Sequence, residues 1–134
     1  MRYVLDTNAV SALMKGDRHF IARLRKLDRA DVGVPQPVFA EIAYGIERLP
    51  RSKRRNSLQE RLDLVRTELA RVAWTAPVSD YFGAVKAERR GKRIEDFDAA
   101  IAAHALAEDA VLVTASADDM GRVPGLTIED WAAM

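Results

Sequence analysis

Cysteine is absent from this chain, and its absence removes disulfide frameworks, Cys-ligated zinc sites and thiol catalysis. Histidine occurs only at His19 and His104, too far apart for a sequence-local zinc motif. Long apolar stretches are missing too. The longest, residues 99–103, has five residues, whereas a membrane-spanning helix takes about 20. Asp6 stands where a secretory leader needs its apolar stretch, so we expect a cytoplasmic protein with no membrane contact. Neither standard form of Gly-rich phosphate loop is present, which argues against a nucleotide-binding enzyme. Net charge is nearly missing as well: 21 Lys+Arg against 20 Asp+Glu leave +1.

That small sum conceals a separation. Residues 1–93 carry 20 basic and 11 acidic side chains, while residues 94–134 carry 1 and 9, giving +9 and −8. Charge asymmetry of this kind hints at a polyanionic partner or an acidic site. What is present otherwise is ordinary globular material, 134 residues with 49% apolar and 31% charged content, enough for one domain over residues 1–134.

The apolar run Tyr3-Val4-Leu5 ends at Asp6-Thr7-Asn8, residues that favour turns and helix starts. A helix through Met14, stopping at Gly16, and another over residues 18–29 follow from apolar spacing. Residues 32–34 read as a strand, and Pro35 and Pro37 suit the entry of a helix that Pro50 stops. Asn56-x-x-Gln59 resembles a capping box ahead of the stripe Leu58, Leu62, Val65 and Leu69. Further on, strands are expected at 72–74, 111–114 and 126–128. Helices are expected from Ser79 to Arg89 and over 97–108, and a loop over 121–125. Short apolar strands alternating with helices indicate an α/β fold, a central parallel sheet of about five short strands flanked by helices. Ligands in such sheets sit beyond the strands' carboxyl ends, at the switch point of the strand order, where Asp6 and residues 114–116 fall.

Three acids interrupt apolar patterns. Asp6 ends an apolar strand. Glu41 shares a helical stripe with Val38, Gly45 and Leu49, and Asp98 precedes Ile101, Ala102 and Ala105 on another. Buried carboxylates are costly unless hydrogen-bonded, paired or bound to a cation. Each also has a plainer reading: Asp6 and Asp98 as helix caps, Glu41 as a helix-edge residue reaching water or an arginine. If the three converge, a hard cation with an all-oxygen shell relieves their repulsion without imidazole or thiol.

In this light the chain resembles the PIN-domain ribonucleases of the VapC toxin family. The resemblance is carried by Leu5-Asp6-Thr7-Asn8, by Val38-Phe39-Ala40-Glu41-Ile42-Ala43-Tyr44-Gly45, and by Phe97-Asp98-Ala99-Ala100-Ile101-Ala102-Ala103-His104-Ala105-Leu106. Leu112-Val113-Thr114 and the closing Pro124-Gly125-Leu126-Thr127-Ile128-Glu129-Asp130-Trp131 complete it, in family order and at family spacing. It implies an endoribonuclease dependent on Mg²⁺ or Mn²⁺ that hydrolyses RNA phosphodiesters and arrests growth. By similarity Asp6 and Asp98 are metal ligands and Glu41 completes the acidic triad, directly or through water. Thr7, Asn8, Thr114 and Ser116 are supporting polar groups.

One departure stands out. Family members often carry Thr-x-Asn or Thr-x-Asp after the fourth strand, where this chain has Thr114-Ala115-Ser116. Asp118 and Asp119 follow immediately, either as a fourth acid or as residues that cap and solvate a turn. His104 lies six residues from Asp98, on another helix face, and reads as packing, as do Trp74 and Trp131.

Basic residues concentrate at Arg48, Arg51, Lys53, Arg54 and Arg55, and again at Lys86, Arg89, Arg90, Lys92 and Arg93. These are either solvated faces or tracks for an RNA backbone. The resemblance further implies a homodimer and a VapB-type antitoxin, with DNA reached only through that antitoxin. The competing reading is a non-catalytic, receiver-like phosphoacceptor module. That reading wants a lysine after a late strand, and residues 111–119 contain none.

Overall fold

A computed structural model describes residues 1–88, 93–115 and 117–132, apart from the side chain of Asp119. Ser116, Arg89, Arg90 and Lys92 therefore lie outside the described residues, as does the Asp119 carboxylate.

Five short strands build one parallel sheet: β1 (Tyr3–Leu5), β2 (Val32–Pro35), β3 (Ala70–Val72), β4 (Val111–Val113) and β5 (Ile128–Glu129). Their order is β3-β2-β1-β4-β5. The chain grows outward from β1 to β3 on one side and then crosses to β4 on the other, which puts the switch point between β1 and β4. Leu5 is in register with Val113, so the residues after each strand emerge together. The central strands are buried on both faces, as parallel sheets require: Val4, Leu5, Val32, Val34 and Leu112 are fully buried.

Helices α1 (Thr7–Met14), α2 (Arg18–Arg25), α3 (Gln36–Glu47), α4 (Lys53–Glu68), α5 (Ala76–Ala87), α6 (Asp96–Ala107) and the short α7 (Ala117–Met120) supply the remaining layers. Asp6 caps α1, accepting from the Ala9 amide at 2.9 Å. Gly16, at φ 78°, takes the left-handed conformation that ends it. Pro37 sits in the first turn of α3, where its missing N–H costs nothing. Helix α6 is alanine-rich, and residues 99–105 are all buried because small side chains let it lie close to α5 and the sheet.

Several boundaries differ from the sequence expectation: α2 ends at Arg25 and not at 29, β5 falls at Ile128–Glu129 and not at 126–128, and α7 lies where no helix is expected. Helix α4 begins at Lys53 with Ser52 as its cap, its Oγ accepting from Arg55 N at 3.1 Å, and Asn56 lies inside the first turn. Strand β3 falls at Ala70–Val72, two residues before the expected position, because it pairs Gly33 with Ala70 and Pro35 with Val72. Helix α5 starts at Ala76, with Thr75 at the cap position and Ser79 already helical. At Gly33 a Cβ would overlap the Met1 sulfur and lie 2.7 Å from Val72 Cγ2, so β2 and β3 pack here only without a side chain.

The C-terminal strand is anchored by Trp131. It is 5% exposed, with its ring 5.2 Å from both Tyr3 and Phe20. Its Nε1 donates to Glu129 Oε1 at 3.0 Å. Among the described residues, no helix is long and apolar enough to cross a membrane.

Candidate active site

The first acid is fixed by strand and helix at once. The Asp6 amide donates to the Val113 carbonyl at 3.0 Å, extending the β1–β4 ladder by one residue. Its carboxylate is 5% exposed. Burial pushes the Asp6 carboxyl up from 3.8 to about 6. Hydrogen bonds from the Thr114 side chain and the Ala9 amide work against this rise, while the charges of Asp98 and Glu41 add to it. Burial is the largest of these influences, and the charges of Asp98 and Glu41 are the smallest. The cap reading of Asp6 is also correct, and it does not compete with the site reading.

Asp98 occupies the third position of α6, behind Asp96 and Phe97, with Glu95 at the cap. It is thus not the cap itself. It stands where the positive end of the helix favours a carboxylate, and its side chain is half-buried. Two helix N-termini, those of α1 and α6, consequently bear the two aspartates.

Glu41 lies at the edge of α3. The buried stripe of that helix is Val38, Phe39, Ile42 and Ile46, while Gly45 is exposed, so the expected Val38–Glu41–Gly45 stripe is the boundary of the apolar face. Glu41 Oε1 accepts from Thr7 Oγ1 at 2.6 Å, a short charge-assisted bond across 34 residues of sequence. Asn8 Oδ1 accepts from the Ala115 amide at 2.9 Å, tying the first turn of α1 to the segment after β4. Thr114 is buried at 1% exposure and its amide donates to the Glu129 carbonyl at 3.0 Å. All three supporting residues thus hold the frame around the acids.

Of the suggested fourth acids, Asp118 is exposed on α7, and the charges acting on Asp6 are those of Asp98 and Glu41. Among the described residues, no three His, Asp or Glu side chains are gathered about a single ion position. Glu41 is held by Thr7, and Asp6 is shared between Thr114 and Ala9. The chemistry of the donor set still fits a divalent hard cation, since such ions keep several waters and need only one or two carboxylates.

His104 is fully buried and away from the acids, its Nδ1 donating to the Ala100 carbonyl at 2.7 Å. Among the described residues its Nε2 has no hydrogen-bond partner, and the Trp74 ring meets it edge-on at 5.4 Å. Burial pushes its pKa below the usual value, against the pull of the Ala100 carbonyl and Glu108. This is a packed neutral imidazole. Of the second basic group, Lys86 is engaged internally, bonding the Ile94 carbonyl at 2.8 Å and Asp96 at 2.9 Å. Sequence reasoning overlooked the Ala115 amide, and backbone groups leave no composition signal by which to find it.

On this five-stranded parallel sheet, with Asp6 at its switch point, the model of the PIN domain family matches residues 3–126. Ribonuclease VapC2 of Rickettsia felis is 33% identical over 98% of either chain. The tRNA(fMet)-specific endonuclease VapC of Shigella flexneri is 26% identical, over 98% of this chain and 99% of its own. Among solved structures, VapBC2 from Rickettsia felis bound to a promoter DNA fragment superposes with a TM-score of 0.87 at 30% identity, covering 98% and 99% of the two chains. DNA-bound VapBC from Salmonella typhimurium gives 0.87 at 25% identity, covering 98% of each. The chain belongs to the PIN-domain family, in its branch of VapC ribonucleases, the toxin components of toxin–antitoxin modules.

Proposed function

We propose that the site of this ribonuclease is Asp6, Glu41 and Asp98, acting with Mg²⁺ or Mn²⁺ on RNA phosphodiester bonds. The observation that carries the reading is the buried Asp6 carboxylate, raised to about 6, with the charges of Asp98 and Glu41 acting on it at the β1–β4 switch point. Asp6 and Asp98 would hold the ion, and Glu41, kept in place by Thr7, would act through water. The bound ion would supply an activated water and neutralise charge on the phosphoryl oxygens. The chain's own residues do the positioning. Thr114 and the Ala9 amide aim the Asp6 carboxylate, Thr7 restricts the Glu41 rotamer, and the first turn of α6 carries Asp98. Ser116 as a supporting group, and Asp118 or Asp119 as a fourth acid, belong to the same reading.

The domain so defined extends over residues 1–134, a reading supported by the packing of Trp131 against Tyr3 and Phe20 beyond the matched segment. The partners in this reading are a VapB-type antitoxin, DNA reached only through it, and a second copy of the chain. The VapBC complexes bound to DNA support the first two. A cytoplasmic location agrees with an RNA substrate. The decisive experiment maps RNA 5′ ends after brief induction of wild type and Asp98→Asn. New ends at discrete positions with wild type only are expected. Identical ends with both proteins, or cleavage undiminished in excess EDTA, would overturn the proposal.

A further inference from the structure

An exposed aromatic side chain stands on the same helix as Glu41. Tyr44 is 65% exposed. It follows Glu41 by three residues, and Arg48 follows it by four, so the three side chains succeed one another along a single face of α3. Helical side chains lean toward the N-terminus of their helix. Arg48 thereby comes back over Tyr44, its guanidinium carbon 5.5 Å from the ring centroid. Gly45, four residues after Glu41, is exposed, and a Cβ there would meet nothing within 4 Å. The surface beside the ring is therefore bare backbone. Arg51, Lys53 and Arg54 are exposed just beyond this end of the helix.

A solitary exposed aromatic residue needs no explanation. This one is aligned with an acid of the candidate site, stacked by a cation, and flanked by an open helical turn that a sugar–phosphate chain can approach closely. We propose that Tyr44 is a stacking residue for an unpaired RNA base beside the scissile phosphate, with Arg48 contacting the adjoining phosphate. The inference rests on the ribonuclease reading of Asp6, Glu41 and Asp98 and adds to it a substrate-contacting residue, since an unpaired base offers the open face on which such a ring stacks.

The test measures binding of the Asp98→Asn protein to two twelve-nucleotide probes, an oligoriboadenylate and an abasic ribose–phosphate oligomer. Replacing Tyr44 with alanine in that protein is expected to weaken the oligoriboadenylate about tenfold and leave the abasic probe unchanged. Tyr44→Phe and Tyr44→Trp are expected to restore wild-type affinity. Arg48→Ala is expected to weaken both probes and to lower the salt dependence by about one phosphate contact. Equal loss on both probes, no loss on either, or a change confined to the oligomeric state would overturn the stacking role. Cleavage of cellular RNA by the wild-type protein is measured alongside. If it cleaves and Tyr44→Ala binds normally, the stacking inference alone fails; if it cleaves no RNA, the ribonuclease reading fails.

Discussion

Thr7 and Glu41 are joined by a 2.6 Å hydrogen bond, the hydroxyl at the start of α1 donating to the carboxylate on α3. This bond connects the end of the first strand to a helix reached only after the second. It also occupies one Glu41 oxygen and leaves the other for water. Thr7→Val keeps the shape and removes the donor. Cleavage by that variant should fall about tenfold, the worth of one charge-assisted bond of about 1.5 kcal/mol. The melting temperature should stay within a few degrees, and Thr7→Ser should recover most of the rate. Full activity in Thr7→Val would remove any positioning role for this hydroxyl.

Asp6 couples the acids to folding. Its carboxyl titrates near 6 in the folded chain against 3.8 ordinarily, so the folded state holds the proton more tightly than the unfolded one. The metal-free protein should therefore be most stable below pH 3.8 as far as this group is concerned, and lose that contribution as pH rises to about 6. A divalent cation acts in the opposite sense because it needs the ionised form. Mn²⁺ or Mg²⁺ should stabilise the fold more at about pH 7.5 than at about pH 5, by up to about 2.7 kcal/mol at a hundredfold excess over Kd, read as a higher melting temperature. Asp6→Asn should abolish the Asp6 share of the pH slope and the metal effect. An equal metal-induced shift in Asp6→Asn would place the ion elsewhere.

His104 titrates with the reverse sign. Burial lowers its pKa in the folded chain, while the unfolded chain protonates near the ordinary 6.5. Its neutral form therefore supports the fold fully above 6.5, and that support declines as pH falls below it toward the lowered folded value. The two titrations overlap and oppose each other, so the His104 effect is best isolated in the Asp6→Asn background. There, His104→Leu should be close to neutral at about pH 8. It should become progressively more stable than its parent on acidification, because leucine carries no group that protonates more readily in the unfolded chain. Parallel stability curves for the two proteins would show that His104 is not the acid-sensitive group.

The acids were legible because each stands where a polar residue breaks an apolar pattern: Asp6 after a strand, Asp98 ahead of the stripe at Ile101, Ala102 and Ala105. The parallel α/β class followed from the alternation of elements, and it put β1 beside β4 at the switch point. Other features depend on partners that no local window contains. The basic run 53–55 shows no apolar periodicity, yet it is helical because Ser52 caps it and Arg55 reaches the Leu49 carbonyl at 3.2 Å and Glu47 at 2.9 Å. The third strand ends before Trp74 because β2 fixes its register, which frees that ring to pack on His104 and Phe82. Glu41 reads as an interior position on a helical wheel, and only the depth of the neighbouring layers moves it to the edge.

Asn8 and Ala115 are separated by 107 residues and joined by a 2.9 Å hydrogen bond. This bond crosses from the first turn of α1 to the backbone leaving β4, on either side of the Asp6–Thr114 contact. It therefore limits how far the segment carrying Thr114 can move from Asp6. Asn8→Ala leaves the Ala115 amide without its acceptor, at a cost of about 1 kcal/mol on an exposed bond that water can replace. The local consequence should exceed the global one. Amide exchange at Ala115 should accelerate by about tenfold or more, while exchange in β1 and α6 is unchanged, because only this tether is cut. Cleavage should fall with it, since Thr114 then aims the Asp6 carboxylate less firmly. Asn8→Asp keeps an acceptor for the same amide and should restore slow exchange at Ala115, though it adds a negative charge beside Asp6. If the Ala115 amide exchanges slowly in Asn8→Ala as well, the segment is held by the sheet alone and Asn8 has no part in ordering the site.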